Sequence, residues 1–185
     1  KNNKDIIYNR FIKFCITFIS LYKARGPNDF KNIEQKNTRN KIFLEFIKDL
    51  YNYYEEYLYK NNLLDFDDLI NKANEIVKSN NDVNLKYKYI IIDEYQDISN
   101  CRFELIKNII NKIKCKIMVV GDDWQCIYGF ASSNINLFTQ FKRNIKNCEI
   151  KKITNTYRNS QELINIAGNF IQKNKFQIKK TLKSN

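Results

Sequence analysis

Two kinds of hydrophobic pattern divide the chain. Between residues 6 and 23, Ile7, Phe11, Phe14, Cys15, Phe18 and Leu21 return at three- and four-residue steps, the period of an amphipathic helix. Gly26-Pro27 interrupts the pattern, and the polar stretch 28–40 reads as a loop. A second helix fits 41–59, with Phe43, Phe46, Ile47, Leu50, Tyr54 and Leu58 on one face. Tyr51, Tyr53, Tyr54, Tyr57 and Tyr59 crowd this helix; helical spacing favours core and rim packing over a stacking surface. After Leu64 the texture changes. Asp65 is placed to cap a helix running to about Lys78, with acids near its positive end. Short apolar runs then alternate with helical patterns: a strand over 87–92, a helix over 102–112 and a strand over 116–120. A short helix over 135–141, a weaker strand over 148–153 and a helix over 160–173 follow, and a basic tail ends the chain. Strands alternating with helices predict a parallel sheet with right-handed crossovers, in which ligands gather at the carboxyl ends of the strands.

Composition narrows the chemistry. The chain has 185 residues, long enough for one domain with a small satellite. With 14% aromatics, 4 Gly and 1 Pro, disorder and collagen are excluded. Its apolar runs are strand-sized, too short to span a bilayer, so a cytoplasmic protein without a membrane partner is expected. There is no histidine, which removes Ser-His, Cys-His and His-based acid–base mechanisms together. Five scattered cysteines without a CxxC pair argue against zinc. Chemistry must therefore run on carboxylates, Lys, Arg, hydroxyls or a bound metal. The formal net charge of +12 suits a polyanionic partner, although a genome poor in G and C would yield the same Lys- and Asn-rich bias.

Three strings carry candidate chemistry. In the first, Ile90-Ile91-Ile92 reads as a buried strand delivering Asp93 and Glu94 to the sheet edge, followed by Tyr95-Gln96-Asp97. Adjacent carboxylates repel and invite a cation, and a hard divalent metal on Asp93 would leave Glu94 to polarise a water. The bland alternative is a solvated turn whose acids cap the next helix. The second string is Gly121-Asp122-Asp123-Trp124-Gln125-Cys126-Ile127-Tyr128-Gly129-Phe130. Its glycine permits a tight turn, Gln125 offers an amide to a phosphate or a water, and Tyr128 and Phe130 form an aromatic pair that stacks on bases or fills core. The third is Thr156-Tyr157-Arg158-Asn159-Ser160, where Arg158 can fork onto a phosphate, Tyr157 can stack on a nucleobase, and Ser160 can cap a helix.

In this order, the strings resemble the superfamily 1 DNA helicases of the UvrD/Rep type. Asp93 to Asp97 are similar to their Walker B motif, Gly121 to Phe130 to motif III, and Tyr157-Arg158 to motif IV. Gly-Asp-Asp-Trp-Gln, Thr-Tyr-Arg, Lys23-Ala24-Arg25-Gly26 and the tail string from Asn169 resemble the helicase IV form of that family. The resemblance implies an α/β fold: part of a RecA-like P-loop NTPase domain, a parallel sheet with flanking helices, beside a helical subdomain. Residues 1–64 would be the insertion subdomain 1B, and 65–185 the later half of motor domain 1A. The implied cofactors are ATP and Mg²⁺. The implied roles are Asp93 holding Mg²⁺ beside Glu94, Glu94 activating the hydrolytic water, and Gln125 sensing the γ-phosphate. Tyr157 would stack on adenine, Arg158 would contact the γ-phosphate, and Tyr128 and Phe130 would meet single-stranded DNA.

The family pattern is departed from in places. Ala131-Ser132 stands where relatives carry Arg-Gly, Cys126 replaces a serine, and Phe130 stands where many have Trp. With Gly only at 26, 121, 129 and 168, a phosphate-cradling P-loop is absent, as is the second RecA-like domain. The expectation is an internal piece of a 3′-to-5′ helicase that unwinds duplex DNA while moving on a single strand. Its partners would be single-stranded and duplex DNA and the other domains of the parent chain, and the piece alone would lack activity. Alternatives are a non-catalytic single-stranded nucleic-acid-binding module, a protein-interaction domain, and a two-metal nuclease. An open sheet edge also suggests an edge-paired or swapped dimer, and Lys173, Lys175, Lys179, Lys180 and Lys183 are candidate phosphate contacts.

Overall fold

The computed structural model describes residues 3–26, 30, 33, 37–80, 83–129 and 132–184. The expected break at Pro27, much of the 28–40 loop, Phe130 and Ala131 lie outside the described residues. Two compact units are present, one formed by Lys1–Lys88 with Ser99–Lys116 and one by Tyr89–Ile98 with Ile117–Asn185.

The first unit is helical: α1 (Asn3–Ala24), α2 (Thr38–Lys60), α3 (Phe66–Ser79) and α4 (Asn100–Ile113). Two of these helices start where side chains satisfy the first free N–H groups. Asn37 accepts the Asn40 N–H at 2.9 Å to open α2. Asp65 accepts the Asp68 N–H at 2.8 Å and Asp68 accepts the Asp65 N–H at 3.3 Å, a reciprocal capping box that opens α3 as the sequence predicts. Cys15, Leu44 and Ile47 form the buried centre between α1 and α2, with Phe18, Ile19, Phe43 and Leu50 packed around it. Leu44 is buried although the predicted face omits it, while the predicted Ile7, Phe11, Phe14 and Phe46 are exposed. Phe11 and Phe14 still meet Phe46 and Phe43 across the helix pair, ring centres 5.5 and 5.0 Å apart, at a rim that solvent reaches. Of the crowded tyrosines, Tyr51 packs edge-on against Tyr22 at 5.4 Å and Tyr54 is half-buried, whereas Tyr53, Tyr57 and Tyr59 point to solvent. Between α3 and α4, Asn108 donates to Asn74 at 2.6 Å. Lys112 donates to the carbonyls of Val77, at 2.8 Å, and Asn80, placing a cation on the negative end of α3.

The second unit holds the strands. The Lys116 N–H donates to the Lys88 carbonyl at 3.0 Å and the Val120 N–H to the Ile92 carbonyl at 2.8 Å. Each partner advances by four residues, so β1 (Tyr89–Ile92) and β2 (Lys116–Val119) run parallel. Beyond them lie α5 (Ile135–Thr139), α6 (Phe141–Asn144), β3 (Asn155–Thr156), α7 (Gln161–Ile171) and β4 (Lys183–Ser184). Helices with small parallel sheets are compatible with an α/β fold.

Two expectations need correction. Residues 148–153 form no strand; β3 lies just after them and pairs in parallel with β4, Asn155 beside Lys183 and Thr156 beside Ser184. Ile150 and Ile153 are exposed, so that stretch has no covered face to anchor a ladder, whereas the Lys183 N–H reaches the Thr154 carbonyl at 2.8 Å. Nor is β1 buried on both faces. Ile91 is 72% exposed and Met118 of β2 is 59% exposed, because among the described residues only one face of this pair is covered.

Candidate functional site

Parallel pairing decides where the acidic strings meet. Ile92 and Val120 lie side by side, so Asp93-Glu94 and Gly121-Asp122 leave the same sheet edge, and the Tyr95 N–H donates to the Val120 carbonyl at 2.9 Å. Glu94 is left-handed (φ 49°, ψ 40°), a conformation that costs a residue with a Cβ about 1–2 kcal/mol. It turns the chain out of β1 into a short 3-10 turn, Tyr95–Asp97, and leaves both carboxylates exposed. Tyr95 anchors the turn, fully buried and edge-on to Phe141 at 5.5 Å; burial pushes its hydroxyl up to about 12.

A relay of amides joins the two strings. Buried Gln96 donates to a Glu94 carboxylate oxygen at 2.6 Å and accepts the Asp122 N–H at 3.0 Å. Gln125 donates to the Asp122 carboxylate at 3.1 Å. Glu94 and Gln125, expected to act together, are thus linked through Gln96 and Asp122. Gln96 was not singled out in the sequence, and its place inside Asp-Glu-Tyr-Gln-Asp was its only signal. Gly121 is needed here for close approach, since its φ is not positive: a Cβ would lie 2.5 Å from Gln96 Oε1 and 2.9 Å from Phe138. This replaces the tight-turn reason drawn from the sequence.

The electrostatics of this edge are uneven. Burial pushes the Asp97 carboxyl up from its ordinary range and the Glu94 charge adds to this; one Asp97 oxygen is buried without a partner. Burial also raises Asp122, but the bonds from Lys180, Gln125 and the Trp124 N–H outweigh it and hold Asp122 below its ordinary value.

The remaining predicted residues lie elsewhere. Tyr128 is exposed after the second string, and Phe130, its proposed partner, falls outside the described residues. Tyr157 and Arg158 are exposed on the turn between β3 and α7, in the same unit as Asp93, Glu94 and Gln125. Ser160 caps α7, accepting the Leu163 N–H at 3.5 Å. The tail is partly spoken for: Lys180 has a side chain only 13% exposed and is ion-paired to Asp122 and Asp123.

Asp93 and Glu94 fit a hard divalent cation by donor chemistry, being exposed oxygen ligands side by side at a strand end. One Glu94 oxygen is engaged by Gln96 and one Asp93 oxygen by the Glu94 N–H at 2.9 Å. A second acidic group, Glu55, Asp65 and Asp68, has oxygens within 4.8 Å of one another, but the Lys23 ammonium already fills it. No helix among the described residues is long and apolar enough to cross a membrane.

Residues 5–146 match the family model of the UvrD/REP helicase N-terminal domain. Among similar proteins is the ATP-dependent DNA helicase Rep of Buchnera aphidicola from Acyrthosiphon pisum, 36% identical over 137 residues, which cover 72% of this chain and 21% of the relative. DNA helicase II of Rickettsia typhi is 33% identical over 187 residues, covering 98% of this chain and 28% of the relative. DNA helicase IV of Escherichia coli is 32% identical over 162 residues, covering 87% and 23%. The chain thus spans between 21% and 28% of these curated relatives. With the matched model covering both acidic strings and most of the chain, this protein belongs to the UvrD/Rep-type superfamily 1 helicases.

Proposed function

We propose that the chain is the carboxylate-bearing part of an ATP-driven DNA helicase motor, an internal piece of a longer cytoplasmic protein. In this reading 1–64 are the insertion subdomain and 65–185 the later half of a RecA-like motor domain. The relay Glu94–Gln96–Asp122–Gln125 at the carboxyl ends of two parallel strands carries it, because a water-activating acid and a phosphate-sensing amide must hold one geometry to act together. The exposed faces of Ile91 and Met118 support the partial domain: continuous apolar runs belong to parallel sheets covered on both sides.

Asp93 and Glu94 would hold Mg²⁺ of Mg-ATP, which when bound neutralises charge on the transferring phosphate. Glu94 takes the proton of the attacking water, its carboxylate oriented by the Gln96 amide. Gln125 contacts the γ-phosphate and links it to the segment bearing Tyr128 and Phe130, which meet single-stranded DNA. Tyr157 stacks on adenine and Arg158 stabilises phosphate charge as it develops. Movement is 3′ to 5′, with duplex unwinding as the result, as the family implies.

The test is DNA-stimulated ATP hydrolysis by the full-length protein carrying these residues. Glu94→Gln should lower kcat by about 10²–10⁴-fold, the usual worth of a positioned general base. The 185-residue chain alone should show no turnover. Turnover by that chain, abolished by Glu94→Gln, would refute the partial-motor reading. DNA binding without hydrolysis by the full-length protein would favour a binding module.

A further inference from the structure

The two acids of the second string are held by a lysine 58 and 57 residues further along the chain. Lys180 Nζ binds one Asp122 carboxylate oxygen, which also accepts the Trp124 N–H at 3.0 Å. Nζ lies 3.3 Å from Asp123, whose side chain is 2% exposed, and 4.6 Å from the centre of the Trp124 ring. The backbone fastens the same segment: the Ile178 N–H donates to Asp123 at 2.6 Å and Trp124 Nε1–H to the Ile178 carbonyl at 3.2 Å. The Lys180 N–H reaches Gln172 at 3.3 Å, tying the segment to the end of α7. The other Asp122 oxygen accepts the Gln125 amide, and the Asp122 N–H continues to Gln96 and Glu94.

We infer that Lys180 is a positioning residue for hydrolysis: by fixing the Asp122 carboxylate it sets the Gln125 amide and, through Gln96, the Glu94 carboxylate. The inference rests on the roles given to Gln125 and Glu94 above. Two features separate it from plain structural pairing. Asp122 spends one oxygen on Lys180 and the other on the exposed Gln125, so the lysine's grip is passed on to a group facing solvent. The lysine also arrives on the segment after α7, so motion of that segment would be felt at the sheet edge.

The experiment is a double-mutant cycle on ATPase kinetics in the full-length protein. Lys180→Met should lower kcat by about 10- to 100-fold, the scale of a small misplacement of reacting groups, while KM for ATP changes by less than about threefold. Lys180→Arg, which keeps the cation, should recover most of kcat. In a Gln125→Ala background, Lys180→Met should cost clearly less than in the wild type, since one of the two groups it positions is gone and only the path through Gln96 to Glu94 is left. Independent, multiplying losses, or wild-type kcat in Lys180→Met, overturn the inference while leaving the functional reading intact. Full activity in Gln125→Ala overturns the reading itself. Should Lys180→Met fail to melt cooperatively, the same cycle is run with Lys180→Met/Asp123→Asn, which removes one of the two stranded charges.

Discussion

Among the described residues, each unit sets a lysine among carboxylates, Lys23 buried and Lys180 partly buried, and the two clusters do different work. Lys23, with a side chain 3% exposed, sits at the end of α1 within 2.7 Å of Glu55 on α2, 2.7 Å of Asp65 at the cap of α3 and 2.6 Å of Asp68 inside it. Its acids are turned inward: Asp65 and Asp68 cap each other's backbone, and Tyr54 donates to Asp65 at 3.0 Å. Among the described residues Lys180 pairs with Asp122 and Asp123, and Asp122 keeps an oxygen for exposed Gln125. A closed cluster fastens three helix ends together. An open one transmits position to a group that meets solvent. Burial of the lysine alone does not separate the two roles; what each carboxylate does with its second oxygen does.

The largest effect expected from this contrast is on stability. Lys23→Met leaves three carboxylates without their cation and should cost about 3–5 kcal/mol, the range for breaking a buried pair, read as a loss of urea midpoint. A loss equal to that of Lys180→Met would erase the distinction between closed and open clusters. Gly121→Ala should cost about 1–3 kcal/mol by overpacking, because Gln96 is buried and bonded at both ends and cannot withdraw from the new methyl. A melting temperature like that of the wild type would show that the close approach at Gly121 relaxes freely.

Acid should sharpen the comparison with a smaller signal. Burial raises Asp65, but the Lys23, Asp68 N–H and Tyr54 bonds outweigh it, so its folded value lies below the ordinary one. A depressed carboxylate gives stability that is fully present above its unfolded value of about 3.9 and is lost as pH falls through the folded value. Asp122 behaves alike. The urea midpoint of the wild type should therefore hold from neutrality to about pH 5 and fall below it; a fall already near pH 7 would contradict the pairing. The smallest effect is the control: Lys151→Ala, in an exposed pair with Glu149 at 2.6 Å, should change stability by less than about 0.5 kcal/mol.

Local chemistry was readable from the residues themselves. The helical steps of α1 and α2, the Asp65 and Ser160 caps, the strands before each acidic string and the family resemblance all rest on patterns a few residues long. The order of Asp93, Glu94, Gln125, Tyr157 and Arg158 was equally plain, although which of them share a relay was not. Gln96 escaped notice and Lys180 was read only as a phosphate contact of the tail, because a buried glutamine and a tail lysine look like any others until the chain folds. The misplaced strand at 148–153 has the same origin: β3 depends on a partner at 183–184, and no local period encodes that pairing. Gly121 was noticed for its flexibility, when the need was for space beside Gln96.

Elements, caps and reactive residue types follow from short-range sterics and hydrogen bonding, which each segment carries with it. Which lysine is closed and which is open, which face of β1 stays uncovered, and how Glu94 reaches Gln125 depend on contacts between distant segments. Those contacts are selected only when burial brings the segments together, and there the tertiary structure had the last word.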